Sequence, residues 1–539
     1  MYPKMEGKLF TKNYNKFTIL DDTTDSELIS FEGAKLVNKC LPGDTVKWDG
    51  SGCELVARAE HPLIPGTIEL ASKTKYGMTS RGIPIYLFIP YSRAYPPFIV
   101  GCSEKDTSSN WLGAIRFDKW DAQFPRGNLQ RLLGKCGDSK AEEEALILQY
   151  SPIPTLKEPG TLLKDDAPHR KELIGFTFNI DPVGCKDIDD IITINPIDET
   201  NYQVIITISD VASYIQEMSA LDVVASTIGQ TLYKDGQAIR PMLPVQLSEY
   251  ELSLLPGKAR LGVSLSFKWD GTSRYEFKWF ESRFTNQKSF TYEEATLENP
   301  EINILAKIFP SEDSHEWIAE AMKLYNLEAA KLLASAGAGI LRAHKIPDLE
   351  RLAKYSSWDP KLVGLANSSA EYIEIGSGKE TTHYGLGTNA YCHITSPIRR
   401  YADLMNQRIL KQIIRGNKKS LYVTTSIHEL NQRGKASKAF ERDLCYMREI
   451  TESTDSLKGR ILDINQVDDE VKLRIWVEKW KRTINAKYKY LQVDDKYLIK
   501  SKDEKKEFLV KEGDLVDIEY APNLNARRWK DRLVVALKS

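Results

Sequence analysis

Residues 180–192 read Ile-Asp-Pro-Val-Gly-Cys-Lys-Asp-Ile-Asp-Asp-Ile-Ile, and four carboxylates, Asp181, Asp187, Asp189 and Asp190, fall within ten positions. Pro182 and Gly184 favour a bent loop. The apolar residues Ile191, Ile192 and Ile194 predict a strand after it, followed by a polar turn, Asn195 to Asn201, and a second strand, Val204 to Ile208. The loop therefore sits at one end of a hairpin. Four carboxylates gathered there repel one another strongly unless divalent cations neutralise them. Oxygen-only donors suit Mg²⁺ or Mn²⁺ and not zinc. Two such ions can activate a water and stabilise the leaving oxygen of a phosphodiester. An EF-hand-like loop counted from Asp181 would need glycine and glutamate where Lys186 and Ile192 stand. A solvated acidic turn is the plainer alternative, against which the flanking apolar strands argue.

A second informative stretch, residues 383–405, contains His383-Tyr-Gly-Leu-Gly387 and Thr395-Ser-Pro-Ile-Arg-Arg-Tyr-Ala-Asp403. Ser396 followed by Pro397 predicts a helix start, a capping hydroxyl with proline at the first helical position. Ile398, Tyr401, Met405, Ile409 and Ile413 give a stripe at helical spacing. Arg399 and Arg400 then fall in the first turn, the wrong end of the dipole for cations unless an anion is bound there as well. Asp403 is spaced to orient either arginine. The competing reading is a structural salt bridge between arginine and Asp403.

Farther out, 539 residues predict three to five domains. The composition, 42% hydrophobic and 28% charged, is that of an ordinary globular chain, and no apolar run approaches the length of a membrane span. Met1 to Phe17 has no apolar core and no arginine-rich amphipathic pattern, so it reads as the start of a domain and not as a signal or transit peptide. Seven scattered cysteines without CxxC suit a reducing compartment and offer neither a disulfide framework nor a zinc site. With a net charge of −1, affinity for nucleic acid would have to come from local patches.

The first 65 residues alternate short apolar runs with turn signals, as a small β-barrel does, and a second β-rich stretch has its clearest strands at 83–90 and 98–101. Helical patterns join in between about 156 and 453, with Trp317 to Leu333 the clearest and Lys411 to Lys419 marking the exposed end of another helix. Strand alternation returns at the end, where Val471, Leu473 and Ile475 share a face. Lys479, Lys481, Arg482, Lys487 and Lys489 interleave with Trp480, Tyr488 and Tyr490 there, a pattern that suits either stacking and phosphate contact in an OB-type barrel or a solvated strand surface.

Together, Asp181-Pro-x4-Asp187-x-Asp189-Asp190, His383-x-Gly385-Leu-Gly387 and Thr395-Ser-Pro-Ile-Arg-Arg-Tyr-x-Asp403 resemble the RNB catalytic domain of the RNase II/RNase R family. Tyr233 to Pro256, Ile208-Ser-Asp-Val-Ala and Phe440-Glu-Arg-Asp443 share the likeness. The motifs run in family order across roughly half the chain. The resemblance implies a multidomain α+β protein. Two cold-shock-like OB barrels (1–65 and 66–155) would precede an RNB domain (156–453), with an S1-like OB barrel (454–539) after it.

The activity implied is processive, hydrolytic 3′-to-5′ degradation of single-stranded RNA to nucleoside 5′-monophosphates by two-metal-ion catalysis. The alternative is a catalytically silent RNB-fold RNA-binding protein. Asp181, Asp187, Asp189 and Asp190 would hold Mg²⁺, with Mn²⁺ as substitute, and Asp189 is the position most tied to cleavage. Arg399 would grip the scissile-side phosphate with Arg400 beside it and Thr395 and Ser396 in contact with the strand. Tyr233 would stack on terminal bases, Tyr292 would line the same pocket, and Glu441 would lie near the RNA 3′ end. Two positions depart from the pattern: Gly339 to Pro347 contains no Phe or Tyr, and Asn406 stands where many relatives have histidine. A monomeric, cytoplasmic protein free of membranes completes the expectation.

Overall fold

Phe176–Asp181, Asp190–Pro196 and Tyr202–Ser209 pair bulky apolar residues with small polar ones, so each forms a strand with one face for a core. In the computed structural model they lie side by side in a seven-stranded sheet. Its order is Lys171–Glu172, Arg274–Thr285, Ala259–Trp269, Tyr202–Ser209, Asp190–Pro196, Phe176–Asp181, Lys288–Thr291. Neighbours run antiparallel except at the two edges, which pair parallel. The structure describes residues 5–22, 26–157, 169–296, 302–417, 421–451, 457–467, 469–500 and 507–538.

This sheet belongs to a compact unit, Ile153–Ser437. Phe178, Ile180, Ile192, Ile206, Val263 and Leu265 face a core completed by Trp317, Ala321, Tyr325 and Ala329 of the helix Ser314–Ala336. Tyr325 buries its ring there and donates its hydroxyl to the Val263 carbonyl (2.9 Å), as a buried phenol must find a partner. On the alternate positions, buried hydroxyls bond across strands: Thr177 with Thr193 (2.9 Å), Thr207 with Ser264 (2.7 Å), and Ser264 with Ser282 (2.8 Å).

The helix Tyr401–Ile414 starts later than Ser396-Pro397 suggests. Tertiary pairing overrides the local signal. Thr231 N–H donates to the Arg399 carbonyl (3.0 Å) and Tyr401 N–H to the Gly229 carbonyl (2.9 Å), so Arg400 is extended in an antiparallel bridge with Gln230. Ser396 leads only into a turn, and the two arginines precede the helix. Arg400 is its N-cap residue and makes no side-chain cap bond.

That helix is unusual in burying Asp403, Asn406, Gln407 and Lys411. Lys411 is not an exposed helix end; Lys418 and Lys419 lie outside the described residues. Its ammonium sits between Asp210 (2.8 Å) and Glu281 (3.5 Å), which also receive Arg170 (2.7 and 3.1 Å), and Arg415 adds a third cation to Glu281 (2.5 Å). Burial alone would raise both carboxyls. Lys411 and Arg170 outweigh it at Asp210, and Arg415 and Lys411 do so at Glu281, so both lie below the usual carboxylate range.

The other unit combines Met1–Pro152 with Lys438–Ser539. Residues 5–57 form a five-stranded sheet in the order Glu27–Glu32, Lys16–Leu20, Met5–Thr11, Thr45–Trp48, Cys53–Ala57, and residues 64–135 close a five-stranded barrel. These are the partly open and closed forms that OB barrels take. The C-terminal strands make a seven-stranded sheet. In the basic and aromatic stretch, Trp480 and Tyr488 are core residues, Lys479 pairs with Glu449 (2.8 Å), and Arg482 pairs with Asp443 (3.2 Å) over the Tyr446 ring. Arg532 is fully buried, bonded to Glu142 of the helix Ser139–Tyr150 and to Thr67 Oγ1 (2.6 Å) in the closed barrel. No helix among the described residues is long and apolar enough to cross a membrane.

Asp210→Ala would leave Lys411 and Arg170 with Glu281 as their one shared buried counter-charge, at a cost of up to about 3–5 kcal/mol. Urea unfolding of the full chain is expected to show a correspondingly earlier transition. The parental chain should lose stability as pH falls below the ordinary carboxylate range, through the depressed values of Asp210 and Glu281. An unchanged urea midpoint in the variant would remove the network from the fold's supports.

Candidate active site

The sheet brings Asp181 and Asp190 together because one ends, and the other begins, a neighbouring antiparallel strand. Tyr292 follows the strand Lys288–Thr291, whose Thr291 is in register with Asp181. These three residues line a cavity of about 590 Å³, with Asp187, Asp189, Tyr233, Thr395, Ser396, Arg399 and Arg400 around it. Glu441 is exposed on the helix Ile427–Thr451 and belongs to the other unit.

The four carboxylates are not equivalent. Asp189 is buried and fully engaged: Ile398 N–H donates to Oδ1 (3.0 Å) and Arg399 Nε to Oδ2 (3.2 Å). Asp187 accepts the Tyr233 hydroxyl, and the Cys185 thiol lies at 3.8 Å. Asp181 accepts from Asn179 Nδ2 (2.8 Å), whereas Asp190 receives no side-chain hydrogen bond among the described residues.

Removal from water raises the Asp181 carboxyl, and Asp187 adds repulsion. Burial and then the charges of Asp181 and Asp189 push Asp190 well above the carboxylate range. Asp189 is raised to about 7 by burial, even though Arg399 and the Ile398 N–H favour its ionised form. For Arg399, burial works toward neutrality, but Asp189 and the anionic surroundings reverse it and keep the guanidinium charged.

Asp181 and Asp190 are the members of the set that neither the Arg399 guanidinium nor the Tyr233 hydroxyl holds, and the charge of Asp181 works against ionisation of Asp190. Among the described residues no three His, Cys, Asp or Glu side chains converge as a ready metal cage. Mg²⁺ does not require one. It is held by one or two carboxylates and keeps its other positions for water and phosphate oxygens, so this pair fits the ion. Asp187 and Asp189 would have to leave Tyr233 and Arg399 to join it.

The arginines divide the same way. Arg400 donates to Asp403 (2.7 Å), whose carboxylate also accepts Ser396 N–H (2.8 Å), while Arg399 reaches Asp189 and places Nη2 on Ser396 Oγ (3.0 Å). Arg400 thus makes the Arg–Asp403 pair weighed above, and Arg399 is the guanidinium beside the carboxylates. Tyr292 stacks on His315 (ring centroids 3.7 Å apart). Asn406 holds both polar groups of Ile340 (2.8 Å each) and the His393 carbonyl (2.9 Å).

The cavity also takes in Asn326, Tyr391 and His393, which the sequence reading did not single out. His393 Nδ1 lies 2.9 Å from the Tyr372 hydroxyl. A polar residue in an apolar helical stripe was the available signal for Asn326. Tyr391 and His393 lie within the stretch read for its arginines.

Family models match at two places: RNB domain over residues 170–300 and 296–416, and Dis3-like cold-shock domain 2 (CSD2) over 85–151. The probable exosome complex exonuclease RRP44 of Caenorhabditis elegans is 24% identical over 62% of this chain and 46% of its own. The chain thus spans less than half the length of that relative. Mycoplasma genitalium RNase R in complex with ribose methylated single-stranded RNA superposes over 99% of this chain and 100% of its own, at 18% identity and a TM-score of 0.73. Yeast Ssd1, a pseudonuclease, covers 90% of this chain and 79% of its own, at 16% identity and a TM-score of 0.62. An RNB domain accompanied by OB-like cold-shock barrels defines the architecture, and the chain belongs to the RNase II/RNase R family.

Ion binding at Asp181 and Asp190 requires both carboxyls to be ionised, and both are raised, so protons compete with the ion as pH falls. Mg²⁺ is expected to raise the thermal midpoint clearly at pH 8 and much less at pH 6. Asp190→Asn should abolish the effect, and a shift that survives in that variant would place the ion elsewhere.

Proposed function

We propose that this chain is a magnesium-dependent exoribonuclease that hydrolyses single-stranded RNA from its 3′ end and releases nucleoside 5′-monophosphates. One observation carries the reading: a cation-ready carboxylate pair, Asp181 and Asp190, shares a cavity with the Arg399 guanidinium. A phosphodiester needs both charges nearby. Family membership supports a nuclease acting on RNA, and attack from the 3′ end is what the likeness of the motifs implies.

Bound Mg²⁺ (or Mn²⁺) supplies Lewis-acid stabilisation and an acidified water. Arg399 turns from Asp189 to a phosphate oxygen, with Ser396 as its second anchor. Asp189, still held by the Ile398 N–H, then accepts a proton from the attacking water while the scissile phosphorus–O3′ bond breaks and O3′ leaves with a proton from solvent. Tyr233 and Tyr292 offer ring faces on which terminal bases can stack.

A silent RNA-binding protein of the same fold is the rival, and the Ssd1 likeness makes it a real one. Retention of four carboxylates and an arginine around one cavity favours the enzyme.

The test uses 5′-labelled single-stranded RNA with Mg²⁺ or EDTA, and the parental chain beside Asp189→Asn. Metal-dependent shortening to a small end product is expected, slowed by about 10²-fold or more in the variant, with RNA binding kept. RNA retained but never shortened, across several divalent ions, would make the chain a silent binder. Cleavage by Asp189→Asn at the parental rate would remove Asp189 from the chemistry.

A further inference from the structure

One wall of the cavity carries polar groups that the proposed hydrolysis leaves unused. Asn326, 3% exposed, accepts Ile394 N–H at Oδ1 (3.0 Å) and donates from Nδ2 to the Tyr391 hydroxyl (3.0 Å) and to Thr395 Oγ1 (3.4 Å). The Ile394 N–H fixes which end of the amide is oxygen. An amide nitrogen can only donate, so both hydroxyl oxygens are acceptors there and each must place its own proton elsewhere. Among the described residues, neither Tyr391 nor Thr395 donates to any acceptor. Both line the cavity, at 8% and 4% exposure.

The donors are held in place. Arg342 N–H binds the Tyr391 carbonyl (2.7 Å), and the ring lies edge-on to His383 and His393, with centroids 5.3 and 5.9 Å away. Charge indicates what they would meet. Arg400, the cation nearest in sequence to Thr395 that is not engaged by Asp189, is compensated by Asp403 (2.7 Å), so this wall offers donors with little unbalanced positive charge. Such a surface suits a neutral oxygen better than a phosphate, which Arg399 serves. The neutral sugar oxygen that RNA has and DNA lacks is the 2′-hydroxyl.

We infer that Tyr391 and Thr395, oriented by Asn326, donate to a ribose 2′-hydroxyl of the bound strand, and that Tyr391 sets a preference for ribose over deoxyribose. This rests on the exoribonuclease reading of the cavity. Asn326 is the positioning residue. Tyr391 makes the contact.

The experiment measures binding by fluorescence anisotropy with the full-length Asp189→Asn chain, so that no strand is consumed. The probes are an all-ribose oligonucleotide and copies carrying a single 2′-deoxy sugar at each of the last several 3′ positions. One position is expected to lose about tenfold in affinity when deoxy, the scale of a hydrogen bond near the upper end of the usual range. Adding Tyr391→Phe should weaken the all-ribose strand by a similar factor and leave the sensitive deoxy strand unchanged. Thr395→Val, which also keeps side-chain bulk, should give a smaller loss at the same position and serves if Tyr391→Phe lowers the melting temperature. Equal weakening of ribose and deoxy strands, no effect of either variant, or no sensitive position in the parental background would each overturn the inference while leaving the nuclease reading intact. Failure to bind any RNA would overturn both.

Discussion

The helix Tyr401–Ile414 buries a polar face, and the central unit is arranged around satisfying it. Asp403 receives Arg400 and Ser396 N–H, Asn406 clips to Ile340 and His393, and Gln407 bridges Ala212 N–H and the Ser209 carbonyl. Arg408 reaches Asp222, and Lys411 reaches Asp210. A buried group of this kind stabilises little when paired and costs several kcal/mol when stranded. The face therefore specifies position more than it adds stability. Its neighbours cannot slide by one turn without breaking several of these contacts together. Arg399 lies just before this helix, so its reach toward Asp189 inherits the same precision.

The acidic loop was legible because its chemistry is local. Four carboxylates between two apolar strands have few stable arrangements, and they do meet in one cavity. What they do there was less legible. No spacing argument separates Asp181 and Asp190 from Asp187 and Asp189, since that division depends on Tyr233, Arg399 and Ile398, all distant in sequence. Ser396-Pro397 misplaced the helix start for a related reason: a capping signature is local, and Gly229 to Thr231 claim the backbone after it. Tertiary pairing won.

Interleaved lysines and aromatics between 479 and 490 suggested either a stacking surface or a solvated face. The aromatic members divide instead, with Trp480 and Tyr488 in the core and several cations paired with carboxylates. From Arg482 on, strand alternation sends neighbouring residues to opposite faces, so interleaving in sequence separates the two kinds of side chain in space, while Trp480 is buried from the turn before that strand. Asn326 left a fainter trace: one polar residue on the apolar stripe of its helix, which does not say that it organises two hydroxyls from a segment some 65 residues away.

The pairing of Arg532 with Glu142 and Thr67 carries a consequence for the order of assembly. One unit draws its strands from two stretches on either side of Ile153–Ser437, and this guanidinium lies 390 residues after Glu142. A ribosome emits the intervening Ile153–Ser437 segment whole before that contact can exist. The early barrel must wait, with Glu142 lacking its cation, until residue 532 has been made, and long loop closures of this kind fold slowly. A nascent or C-terminally clipped chain would thus expose an unfinished seam on the barrel made first, far in sequence from the cut.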